Sequence, residues 1–160
     1  MVGTENPFGH ALHELATSAG WNSSRHVSID EVLEVADRAG YVLSDTTKKL
    51  LSNINGIVIK VCQRSIGIEA NTCASIIEKV DIQGICEELG ELFFPLGLAS
   101  AAYLFVSDSG KVMFLDQDFL FFRVYSSIES LIRHIVLEQN ADGLLTERYL
   151  ELTERPEDFR

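Results

Sequence analysis

The sequence predicts an α+β fold: N-terminal helices packed on a mostly antiparallel sheet, with one inserted helix and a closing C-terminal helix. Three observations carry this expectation. Helical apolar spacing dominates up to about residue 55; short β-branched and aromatic runs separated by turn residues follow from Ile57; and helix and strand signals do not alternate in the βαβα manner of a parallel sheet. At 160 residues and 46% hydrophobic side chains, the chain has the material for one core and one domain.

Asn6 is placed to cap a first helix with Pro7 in its first position. Phe8, Ala11, Leu12, Leu15 and Ala19 recur on one face, and Gly20 stops the helix, so it should span 7–19. Ser28 and Glu31 match a capping box, and Ile29, Val32, Leu33, Ala36 and Ala39 form the stripe of a second helix ending at Gly40. A third begins at Ser44, turns Leu50, Leu51 and Ile54 inward and releases the chain at Asn55-Gly56. IVIKVC and SIGIE, joined at Gln63-Arg64, read as a hairpin. The stretch 71–90 reads as a helix interrupted between Asp81 and Gly84. AAYLFV, the turn SDSG and KVMFLD form a second hairpin, and FLFFRVY supplies a further strand. Period-2 placement puts Phe119, Phe121 and Arg123 on one face of that strand and Leu120, Phe122 and Val124 on the other, as in a central strand covered twice. Ser126 and Glu129 open a closing helix to about Gln139. Residues 1–140 thus make the domain, and 141–160 are expected to be a polar tail with a short amphipathic helix.

Thirteen Lys plus Arg against 24 Asp plus Glu give a net charge of −11, which disfavours a grip on nucleic-acid phosphates. Between residues 81 and 118 seven carboxylates face the single cation Lys111, a local net of −6 that would steer a basic partner. The start lacks a basic n-region followed by an apolar run, and no stretch of 18 apolar residues occurs, so a soluble, cytoplasmic protein without membrane contact is expected. Cys62, Cys73 and Cys86 are odd in number and lack C-x-x-C spacing; buried, unreactive thiols are the simplest reading.

The strong chemical motifs, phosphate-binding glycine loops, H-E-x-x-H and G-x-S-x-G, do not occur. His10 and His13 stand three apart on the first helix without the further ligands a metal needs. Asp116-x-Asp118 is the nearest approach to a cation pair, with Asp108 and Glu88 as additional oxygen donors, against the simpler reading of a polar break between strands. Cys73 and Cys86 have only His134 as a distant base. No catalytic residues, metal or cofactor are expected.

The stretch Ala19-Gly20-Trp21, followed by Arg25 and Val27, resembles the N-terminal signature of the SUKH superfamily of bacterial immunity proteins, in particular its third family. LLSNINGIVI at 50–59, with Gly56, is similar to that family's passage into the first strand, and IEANTCA at 68–74 to its acidic turn. ELGELFFPLG at 88–97 resembles its Leu-Gly, Pro-x-Gly element through Gly90, Pro95 and Gly97, and SDSGKVMFL at 107–115 its Asp-Gly turn through Gly110. Together these span roughly residues 7–139. The chain departs from the pattern at turn positions: Asn55-Gly56 replaces Gly-Gly, Asn71-Thr72 replaces a proline, and Ser126 or Ser127 replaces a glycine.

The resemblance implies a non-enzymatic protein that binds and neutralises a cognate toxin domain, a basic protein such as a nuclease. Glu87, Glu88, Glu91, Asp108, Asp116 and Asp118 are the candidate partner-binding residues. Trp21 is expected as a core plug whose indole N–H bonds a backbone carbonyl, with Arg25 pairing a carboxylate. The alternatives are a regulatory or scaffold domain of the same fold, and a small metal-dependent hydrolase using Asp116 and Asp118.

Overall fold

The computed structural model describes residues 6–149. A 3₁₀ turn, His10–Leu12, leads into α1 (His13–Ser18), followed by α2 (Asp30–Arg38) and α3 (Asp45–Ile54). Strands β1 (Val58–Val61) and β2 (Arg64–Gly67) form the first hairpin, and α4 (Ala70–Ile76) and α5 (Lys79–Leu89) intervene before β3 (Phe93–Ala99). β4 (Ala102–Ser107), β5 (Val112–Asp116), β6 (Phe121–Tyr125), α6 (Ile128–Ile135) and β7 (Leu144–Tyr149) complete the chain. The seven strands lie in one antiparallel sheet in sequence order, so the α+β class is as expected.

Local chemistry accounts for the well-placed elements. Ser44 caps α3 by accepting the Thr47 N–H at 3.1 Å. Gly110 turns the β4–β5 hairpin, and the Ser107 N–H donates to the Lys111 carbonyl. Pro95 and Gly97 flank a bulge in β3 whose extra residue, Leu96, is fully buried; a proline in an inner strand is tolerated at such a break in the ladder. Gly97 has a second constraint, because a Cβ there would collide with the Gly67 carbonyl. Leu104–Ser107 and Val112–Leu115 are buried at every position, so β4 and β5 are covered on both faces.

Six elements differ from expectation, two of them only at their ends: α2 has Ile29 at its N-cap position and no Ser28–Glu31 capping box, and α6 is capped by Ser127 and ends at Ile135. The first helix is shorter: Asn6 accepts the Phe8 N–H in a turn, Gly9 takes a positive φ, and regular α-helix starts at His13. The run 71–90 is two helices, α4 and α5, broken at Ile77–Glu78 rather than at 81–84. Glu78 and Asp81 form a reciprocal capping box there, leaving Gly84 inside α5. The strand read from Phe119 begins at Phe121. Phe119 has φ 57°, and the Asp116 carboxylate accepts the N–H groups of Asp118 and Leu120, making 116–120 a turn. Strand β6 is also covered once, not twice: Phe122 and Val124 are buried while Phe121 and Arg123 stay half-exposed.

Finally, Leu144–Tyr149, expected within a tail carrying a short helix, form strand β7 on the outer edge of β6. Cross-strand partners override helical propensity there: Glu147 lies opposite Arg123 and pairs with it at 2.7 Å, and Tyr149 lies against Phe121. The sheet thus closes on a strand after α6, and the rest of the expected tail, 150–160, lies outside the described residues.

Candidate protein-docking site

Two regions hold many of the residues singled out by sequence. The first is a clasp around Trp21. Gly20 ends α1, and Trp21, 4% exposed, turns inward against Phe8 and His13. Its indole N–H donates to the Asn53 side-chain oxygen at 2.8 Å, not to a backbone carbonyl. Arg25 does not pair a carboxylate either: it donates to the carbonyls of Asn53 at 2.7 Å and Asn55 at 2.6 Å, while the Asn53 amide donates back to the Arg25 carbonyl. The C-terminal end of α3 has orphan carbonyls to satisfy, and a guanidinium reaches two of them where a carboxylate could satisfy none. Gly56, at φ 93°, lies directly under this guanidinium. The clasp ties α1, α3 and the start of β1 together.

The second region runs along one face of α5, from Lys79 to Gly90. This helix, the extended Tyr41–Val42 segment and residues 90–94 enclose a groove of about 430 Å³. Its floor is Tyr41, Ile82, Cys86, Phe93 and Phe94, all buried. Its rim carries Val42, 81% exposed, and Leu92, 60% exposed, beside Lys79, Gln83, Glu87 and Glu91. Single exposed aliphatics are ordinary on a surface; here two of them border one apolar groove. Neither was singled out from sequence. The available signal was alternation: Tyr41 and Leu43 are buried and Val42 projects between them, as in a short extended segment.

The six candidate carboxylates divide between two places. Glu87 borders the groove and accepts the Gln83 amide at 3.2 Å, and Glu88, one residue on, pairs with Arg148 of β7. Glu91 meets Lys111 at 3.1 Å and Ser109. Burial alone would raise the Glu91 carboxyl, but the hydroxyls of Ser109 and Ser107 and the Lys111 ammonium hold it below the usual carboxylate range. Asp108, in the same hairpin turn as Ser109, accepts the Ser44 hydroxyl at 2.5 Å and the Thr47 hydroxyl at 3.3 Å, so it works at the start of α3. Asp116 and Asp118 lie at the opposite end of β5, roughly 15 Å away at about 3.3 Å per strand residue. They do not join the groove.

Catalytic alternatives gain nothing from the geometry. Asp116 is committed to its turn. Burial pushes the Cys73 thiol up to about 12 and raises that of Cys86, lowering the thiolate fraction a nucleophile needs. The Tyr41 hydroxyl donates to the Ile77 carbonyl at 2.9 Å, and burial keeps its phenol protonated. His134 shares a 2.5 Å hydrogen bond with the Tyr125 hydroxyl. The His13 ring lies against Trp21, and His10 is exposed. Among the described residues no three His, Cys, Asp or Glu side chains converge to hold a metal ion, and no helix is long and apolar enough to cross a membrane.

Comparisons with protein-family models, curated proteins and solved structures return no match.

Proposed function

We propose that the protein is a non-enzymatic, cytoplasmic immunity protein of SUKH type, which binds a basic bacterial toxin domain and neutralises it by covering its active site or a neighbouring exosite. The observation that supports this best is the groove along α5, where an apolar floor and two exposed aliphatics stand beside Glu87, whose carboxylate pairs with no cation among the described residues. An apolar centre supplies affinity through a few anchors, whereas the charge of −11 supplies fast, salt-sensitive encounter with a cationic partner.

Two assays test the proposal: affinity capture of the tagged full chain from its native cells at low and then moderate salt, and co-expression with the toxin domain so captured. Growth rescue together with one dominant basic partner at 1:1, released as salt rises, is the expected result. A housekeeping complex without rescue would replace the immunity reading with that of a regulatory or scaffold domain.

A further inference from the structure

The carbonyl end of a helix is its negative end, so carboxylates in the last turn are disfavoured there. Helix α5 nevertheless carries Glu87 and Glu88 in its last turn, before Leu89, with Glu91 just beyond the Gly90 cap. Arg148 answers Glu88 and Lys111 answers Glu91, but among the described residues no cation pairs with Glu87, and the rim cation Lys79 stands at the other end of the helix, eight residues back. The groove beside it is apolar within, and its one internal hydroxyl, that of Tyr41, is committed to Ile77. Ligand pockets run from roughly 300 to 1,000 Å³; this one, about 430 Å³, is at the small end and suits one or two side chains.

From this placement we infer that the groove is an anchor pocket for a protein segment in which one aliphatic or aromatic side chain is flanked by lysine or arginine. The apolar side chain enters between Val42 and Leu92 and covers Ile82, Cys86 and Phe93. The flanking cation meets Glu87, which gains the partner that the fold does not provide. A carboxylate at the Glu87 end would meet a like charge, and a wholly polar segment would leave the floor wet. The inference rests on the immunity reading for the partner's identity, and on the groove alone for its chemistry.

The test uses the full chain and three short capped peptides: leucine between two pairs of lysines, serine between the same lysines, and leucine between pairs of glutamates. Amide resonances of Tyr41, Gln83, Gly90 and Leu92 should move with the lysine–leucine peptide and with neither of the others. Leu92→Asp and Val42→Asp project into solvent and should keep the wild-type melting profile; each should weaken the captured toxin domain by about thirtyfold, the loss expected of an anchor contact. Equal shifts from the leucine and serine peptides, or shifts confined to residues outside the groove, would overturn the inference. Rescue by wild type that both variants retain also overturns it and leaves the immunity reading intact. A groove that responds as described in a chain that gives no rescue sinks the immunity reading and leaves the anchor pocket standing.

Discussion

The Trp21 clasp and the groove along α5 are built from similar materials, aromatic and aliphatic side chains beside polar and charged ones, and they resolve them in opposite ways. In the clasp the indole, Arg25 and Asn53 find partners inside the molecule, and the aromatic rings are buried. Along α5 the aliphatics Val42 and Leu92 stand in solvent, and the Glu87 carboxylate pairs with no cation among the described residues. The first region is closed on itself and serves the fold. The second is left open to solvent.

The largest effect that could break this comparison is at Trp21. Replacing it with alanine removes a buried aromatic and leaves the Asn53 side chain without its indole donor, at a cost of about 3–5 kcal/mol in a urea titration. A loss below about 1 kcal/mol would mean that the site collapses freely and that the clasp is not part of the core. Arg25→Met keeps the aliphatic stem but strands the carbonyls of Asn53 and Asn55 at the end of α3. An expected loss of about 2 kcal/mol separates hydrogen bonding from packing, and a variant as stable as wild type would show that water replaces the guanidinium without penalty.

Legibility from sequence followed the range of the interaction. Ser44 as the cap of α3 and the turn at Gly110 are settled by residues three or four apart, and both were expected. The partners of Trp21 and Arg25 lie about 30 positions away, on an asparagine whose side-chain amide carries no distinguishing pattern. Asp108 shows the same limit from the other side: as one of a set of carboxylates it reads as a docking residue, and only the approach of α3 makes it a local partner of Ser44 and Thr47. The capping box at Glu78 and Asp81 uses two carboxylates instead of a hydroxyl and a glutamate, so the break between α4 and α5 was misplaced. Strand β7 could not be read locally, because what holds it is Arg123 and Phe121 on a strand more than twenty residues earlier.

The smallest effect sharpens the boundary between the two regions. Glu91 borders the open groove, yet its carboxylate is held by Ser109, Ser107 and Lys111, so it belongs partly to the closed, structural kind. Its carboxyl sits below its unfolded value, near 4.3, which means that the folded state favours the charged form. The stabilisation is therefore complete above that value and disappears as pH falls through the folded one. Glu91→Gln should cost at most about 1 kcal/mol at neutral pH, as expected of a partly exposed ion pair. As the pH falls from about 4.3 through the lower folded value, the gap between variant and wild type should close, because the wild-type carboxyl is then neutral as well. Matched denaturant titrations across that range decide the point. A constant gap at every pH would assign Glu91 a packing role, whereas no gap at any pH would leave its charge free for a docking partner, as we infer for Glu87.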